Sequence, residues 1–268
     1  MIWGDYHTHS VFSHGKATIE QIVIRAVRLG LKEIAVTDHG FRHFAYNVRR
    51  IDWPLISREV AFLRKKYPQI KILLGLETNF NSFDGSLDIK PYDSRVLDVI
   101  LAGYHKLVLP GRISDIFKFF IPNFWASTRN KFSPKSIVRN TDAYLKGIEA
   151  YDIDILTHPN YGIKVDIAEV AKACAHFGTF FELNGRRIKM SDEELEIAAD
   201  SGVTFIFNSD AHDLGRLANV ELSIVTAERI GIPFERVANW DKLPDFRSMK
   251  KKANINDIIK EPFRLFTS

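Results

Sequence analysis

Seven short apolar runs punctuate the chain, each ending in polar or ionisable residues: IWGDYH, EIAVTDH, KILLGLETNF, VLDVILAGYH, DIDILTHPN, TFFELN and VTFIFNSDAH. Near-continuous apolar runs of this length read as strands covered on both faces, as in a parallel sheet. Between most of them apolar positions return every three to four residues, which predicts helices over 18–29, 54–67, 134–150, 167–176 and 191–201. The punctuation agrees. Thr18 stands before the first helical pattern and Gly30 just after it, while Ser191 opens S-D-E-E, a capping box with acidic residues in the first turn. Alternating strands and helices call for right-handed crossovers between parallel strands, and seven strand candidates predict a closed α/β barrel.

Two stretches break the rhythm. The segment at about 106–134 is far longer than an ordinary strand-to-helix connection and carries Phe117, Phe119, Phe120, Phe124, Trp125 and Phe132 among Lys and Arg. Asp115 is its one acidic residue, so an ordered aromatic and basic insertion is expected. It leaves a strand end bearing His105, which makes a lid or substrate-selecting wall one reading. Packing on the barrel or a homo-oligomeric contact ranks level with it, and weak adsorption at a membrane interface ranks well below. The C-terminal extension at about 238–268 holds Arg247, Lys250, Lys251 and Lys252 before a short helical pattern at 254–260, and is expected to be a solvated tail on the side of the barrel.

Charge and cysteine narrow the function classes only slightly. Thirty-seven Lys and Arg against 33 Asp and Glu leave +4, which suits an anionic substrate without diagnosing a nucleic-acid surface. The one cysteine, Cys174, lies in the amphipathic run AEVAKACAHFG and is expected to be a small core residue rather than a nucleophile. No leader pattern opens the chain and no apolar stretch approaches the roughly 18 residues of a membrane span, so a cytoplasmic protein without stable membrane association is expected.

The histidines carry the chemistry. His7, His9, His39, His105, His158 and His212 fall at or just past the ends of predicted strands, as do Glu77 and Asp210. In an α/β barrel those ends converge on one face, where the loops hold functional groups. His7 and His9 are two residues apart, so on an extended strand both imidazoles point to one side. With His14, the candidates number nine, more than one ion can use, which predicts two or three divalent metals sharing bridging carboxylates. Imidazole and carboxylate ligands suit Zn, Mn or Fe, and the lack of clustered thiolates excludes a zinc finger or an iron–sulfur centre. Around this set, Asp5 and Asp38 are candidate acceptors for ligating imidazoles, and Asn184 is a site residue or a turn former. His43 is a candidate substrate contact, and His176 is expected to meet a helix C-terminal dipole. Arg42, Arg49, Arg50, Arg186 and Arg187 are candidate phosphate readers, with Arg42, Arg186 and Asn184 taken as the substrate-binding set.

The ordered motifs DYHTHSVFSHG, IAVTDHG, GLE, GYH, THPN and NSDAH, from Asp5 to His212, resemble the PHP (polymerase and histidinol phosphatase) domain family. The resemblance implies a distorted (β/α)7 TIM-like barrel with a trinuclear site. It implies one metal on His7, His9, Glu77 and Asp210, a second on Glu77, His105 and His158, and a third on His14, His39 and His212. Glu77, Asp210 and His212 then form the catalytic set, with Glu77 bridging, and the expected chemistry is attack on phosphorus by a hydroxide bridging two metals. The leaving group takes its proton from His212, Asp210 or a metal-bound water. A phosphatase acting on a small phosphorylated anion, histidinol phosphate being a candidate, ranks first. A nuclease or phosphodiesterase acting on nucleic acid ranks second, since the chain opens almost at its first metal motif without an attached polymerase. A non-catalytic module ranks third because no ligand position is missing.

Overall fold

The computed structural model describes residues 1–252. All seven apolar runs form strands: β1 (Gly4–Asp5), β2 (Glu33–Val36), β3 (Lys71–Asn79), β4 (Val99–Gly103), β5 (Ile155–Leu156), β6 (Phe180–Asn184) and β7 (Phe205–Asn208). They pair in parallel in chain order. A parallel bridge between Thr8 and Ala211, just past the ends of β1 and β7, closes the ring. The barrel is distorted because β1 and β5 are only two residues each, against nine in β3.

Strand alternation divides the core in two. Tyr6, Ala35, Leu73, Val99, Leu101, Ile155 and Ile206 fill the barrel, while their neighbours Ile72, Leu74, Ile100 and Ala102 pack outward under the helices. The predicted helices form at Ile19–Arg28, Trp53–Lys66, Pro134–Ala150, Ile167–Phe177 and Asp192–Asp200. Thr18 and Gln21 close a reciprocal capping box, Gly30 takes φ +77° past the helix end, and Ser191 pairs with Glu194 in the same way. Outside the insertion, the pattern missed the single turn Pro91–Ser94 and the helix Glu221–Ile230, whose N-cap is Val220 and offers no side-chain hydrogen bond. Cys174 is fully buried, and His176 sits in the last turn of its helix.

The insertion is ordered and helical. Ile113–Asp115 leads into a π-wound turn, Ile116–Phe120, and then Ile121–Thr128. Phe119 is buried edge-on against Tyr104, the residue before His105, which ties the insertion to the end of β4. Ile113, Phe117, Phe124 and Trp125 stay exposed.

The C-terminal segment corrects an expectation. Rather than lying solvated on the barrel's side, it crosses beneath the strand N-termini, where Phe246 enters the barrel interior against Tyr6 and Phe180 at 4.9 and 5.9 Å. A two-residue β5 leaves that end open, and an aromatic ring fills it. Lys251 and Lys252 are held by Asp152 and Asp98, so this part of the basic run is paired rather than free. The predicted helix at 254–260 lies outside the described residues.

Candidate metal centre

Each strand delivers its polar terminus to the same face. After β1, Thr8 turns aside to donate to the Ala35 carbonyl at 2.6 Å, which leaves His7 and His9 facing inward. Glu77, near the end of β3, is buried at the centre. Its Oε1 lies 2.8 Å from His158 Nε2, 3.2 Å from His7 Nε2 and 3.4 Å from His105 Nε2. Its Oε2 lies 2.8 Å from His39 Nδ1 and 3.6 Å from His9 Nε2. Asp210 Oδ1 lies 3.4 Å from His212 Nδ1, 3.6 Å from His9 Nε2 and 3.9 Å from His7 Nε2. His14 joins through ring contacts with His39 and His212, with centroids 4.8 and 4.1 Å apart. All nine candidate ligands therefore converge.

Their ligand atoms gather in four groups: His7, His9 and Asp210; His7, Glu77 and His158; His39, Glu77 and His105; and His9, His14, His39 and His212. Within each group the atoms lie within 4.8 Å of one another. The arrangement is more shared than the three sets implied by the motifs, in which Glu77 alone bridges: here His7, His9 and His39 each serve two groups as well.

The donor chemistry fits cations. His7 Nε2, both nitrogens of His9 and Nδ1 of His14 and His158 are buried without a hydrogen-bond partner among the described residues. A buried polar atom left unpaired costs about 1–3 kcal/mol, so such a concentration is stable only if something satisfies it. Electrostatics points the same way. Burial opposes charge on His7, yet Glu182, Glu77 and Asp210 hold its pKa well above the ordinary value. A field that binds a proton this firmly favours a metal ion in its place. Burial and the neighbouring imidazoles push His9 well down, and His14 to about 3. Burial also brings His212 to about 4, against the pull of Asp210. Glu77 is held low by His105, His7 and His39 despite burial, so it stays an anion. Neutral imidazoles and ionised carboxylates are the forms that ligate metals.

Two candidate ligands sit in left-handed backbone, His158 at φ +28° and Asp210 at φ +51°. His158 N–H donates to Glu182 Oε2 at 2.8 Å, and Ala211 N–H, next to Asp210, donates to the His7 carbonyl at 3.2 Å. These bonds hold the turn that aims each side chain inward.

The supporting groups differ from those expected. Asp38 accepts from Ser10 and Ser13, and Asp5 from Ser209 and the Ala218 backbone; neither takes an imidazole proton, because both face the loops behind the histidines. Instead, Glu182 accepts from His7 Nδ1 at 2.8 Å and Asn79 faces His105 Nδ1 at 2.7 Å. Glu182 escaped the motif reading, although a lone carboxylate inside the apolar run FFELN is itself a signal.

Above the ligands lies a cavity of about 340 Å³. His43, Tyr46, Leu107 and Tyr161 wall it, and Lys106, Arg186 and Arg187 supply positive charge. Arg187 lies over the Tyr161 ring, and Arg186 Nη1 is 2.9 Å from His212 Nδ1. The other arginines are elsewhere. The Arg42 guanidinium donates to the Leu109 and Pro110 carbonyls, so its substrate-binding assignment is corrected to bracing the start of the insertion. Arg49 pairs with Asp52, and Arg50 with Asp93. Asn184 is buried beneath the cavity, accepting from the backbone N–H groups of Arg186 and Arg187; it orients that loop rather than lining the cavity.

A family model described as PHP domain matches residues 5–190. A "Probable phosphatase" of Shewanella sp. (strain MR-4) is 27% identical over 272 residues, covering 95% of each chain. Another, from Aeromonas hydrophila subsp. hydrophila, is 29% identical over 269 residues, covering 94% of this chain and 96% of the relative. Among solved structures, the histidinol phosphate phosphatase of Lactococcus lactis subsp. lactis, complexed with zinc, L-histidinol and phosphate, aligns with a TM-score of 0.59 at 18% identity. That alignment covers 92% of this chain and 97% of the other, and it shows a shared fold. Among the described residues, no helix is long and apolar enough to cross a membrane.

Proposed function

The chain belongs to the PHP domain family and is a metal-dependent phosphoesterase, and on that premise we propose that it hydrolyses a phosphate monoester of a small molecule at the histidine-lined cavity. The observation that carries this reading is the combination of convergent ligands with a cavity of about 340 Å³, the size of a small-molecule site, rimmed by Lys106, Arg186 and Arg187. The basic side chains meet in one concave space, which suits a compact anion better than a polymer backbone.

In this reading His7, His9, Glu77 and Asp210 hold one divalent ion, Glu77, His105 and His158 a second, and His14, His39 and His212 a third, the ions being Zn, Mn or Fe. When bound, such ions acidify water and offset charge on phosphoryl oxygens. The protein does the rest. Glu182, as an ionised acceptor, keeps the proton of His7 on Nδ1 and so leaves the Nε2 lone pair free for a cation that would also meet Glu77. Arg186 and Arg187 stand where a phosphoryl group would need bidentate donors. His212, Asp210 and water are the candidate proton sources for the leaving oxygen.

The test reconstitutes the protein with Zn, Mn or Fe and compares kcat/KM on phosphate monoesters, histidinol phosphate included, with single-stranded DNA and a phosphodiester dye. Monoesters should be turned over fastest, with more than one metal ion per chain by elemental analysis. Glu77→Ala should cost more activity than loss of any one peripheral histidine. Faster cleavage of DNA or the diester would reverse the assignment.

A further inference from the structure

A second cavity, of about 280 Å³, adjoins the first, and Lys106 and Tyr161 line both. Its far side is built by the insertion, from Ser127, Asn130 and Phe132. The remaining wall comes from the segment after β5, including Asn160 and Lys164, and from Lys189 after β6. The insertion therefore walls the metal-site cavity through Lys106 and Leu107 at its start and shapes a second space beside it with its helical part.

The chemistry of that space is one-sided. Three lysines border it and no carboxylate does. Lys164 is neutralised by Glu194 at 2.5 Å, whereas Lys106 and Lys189 have no ion-pair partner among the described residues. Gly162, at φ +72°, keeps the shared wall thin, since a Cβ there would lie 3.5 Å from Lys106 Cε. The Lys106 side chain thus lies along the boundary between the two cavities. Converging cations in a concave site focus a positive potential and raise the local concentration of anions. The Asn130 amide and the acceptor side of the Ser127 hydroxyl add neutral hydrogen-bonding capacity, whereas the Asn160 amide is engaged by Glu194 and the Val165 N–H.

We propose that this cavity receives the leaving group, and that the substrate is a phosphate monoester whose leaving group carries a second anion, a carboxylate or another phosphoryl group. The inference rests on the phosphatase reading above. The second anion is bound and leaves unchanged; only the scissile P–O bond is exchanged for one to water oxygen, and the departing oxygen gains a proton. Histidinol phosphate, whose leaving group carries an ammonium, is the wrong sign for these lysines and should be a poor substrate.

The experiment uses the metal-loaded full chain and matched probes of increasing length: n-alkyl phosphates, α,ω-alkanediol bisphosphates and ω-phosphonooxy carboxylates. At one length a doubly anionic probe should exceed its alkyl counterpart by about tenfold or more in kcat/KM, as one charge-assisted contact allows. The bisphosphate and carboxylate arms identify which second anion is read. The Lys189→Glu variant, which reverses the unpaired charge that belongs to this cavity alone, should bring that ratio to about one through KM while leaving alkyl phosphate turnover unchanged. Binding of non-hydrolysable alkane bisphosphonates should weaken in parallel. A ratio near one at every length in the wild type, or a preference undiminished in Lys189→Glu, would overturn the subsite. Failure to hydrolyse any alkyl phosphate would instead overturn the phosphatase reading, and the subsite with it.

Discussion

Replacing Glu182 by Gln preserves shape but halves the acceptors at a point where four donors meet. Oε1 takes His7 Nδ1–H at 2.8 Å and Asn208 Nδ2 at 3.0 Å; Oε2 takes His158 N–H at 2.8 Å and Asn184 Nδ2 at 3.0 Å. Neither asparagine can flip to compensate. The Oδ1 of Asn208 accepts from Tyr6 N–H, and that of Asn184 accepts from the N–H groups of Arg186 and Arg187. A glutamine amide turned toward His158 leaves two donors unpaired. Turned toward His7, it opposes Asn208 and drives the His7 proton to Nε2, the atom that faces Glu77. Each buried unpaired donor costs about 1–3 kcal/mol, so with two of them the chelated variant should lose roughly 2–6 kcal/mol by urea unfolding. Disturbing the partner of a metal-binding imidazole should also weaken zinc binding about 10- to 100-fold by calorimetry. A loss below about 1 kcal/mol together with wild-type zinc affinity would refute this account of Glu182.

Metal removal should destabilise the protein, because the orphaned imidazoles lose what satisfies them: at about 100-fold excess over Kd, bound metal contributes roughly 2.7 kcal/mol per site, so an unchanged Tm after chelation would count against the centre. Phe119→Ala, removing a buried ring from Tyr104, should cost about 3–5 kcal/mol, whereas Phe117→Ala on the exposed face should stay within about 0.5 kcal/mol; equal effects by urea unfolding would contradict the insertion's packing. Burial raises Asp154 to about 6, while its bonds from Ile100 and Ser248 N–H work the other way. The folded state therefore keeps this proton longer than the unfolded chain. The stability of the chelated wild type relative to Asp154→Asn should fall as pH rises from about 4 to about 6 and level off above, and a difference that rises over that range would be inconsistent with the raised pKa.

The amino-acid sequence by itself determined the seven strands, most of the barrel's helices and the nine candidate ligands that converge, because each of those signals is local. An apolar run ending in histidine or carboxylate states both that a strand is buried and that its polar end faces the strand-end loops. Thr18, Gly30 and Ser191 mark helix ends through bonds within a few residues, so they too can be read along the chain. Tertiary structure alone decided the supports. Glu182 reaches His7 across 175 residues because the barrel closes β7 against β1, a contact that no spacing encodes. Asp38 stands beside a ligand in sequence and Asp5 two residues from one, yet both accept from the loops behind the histidines, because Ser10, Ser13, Ser209 and Ala218 reach them first in the folded chain. Arg42 follows a ligand motif but spends its donors on the insertion, and Phe246 leaves an apparently polar tail to fill the barrel's open end. Local pattern fixes which way a side chain faces; which partner meets it depends on ring closure and on which segments fill the space left over.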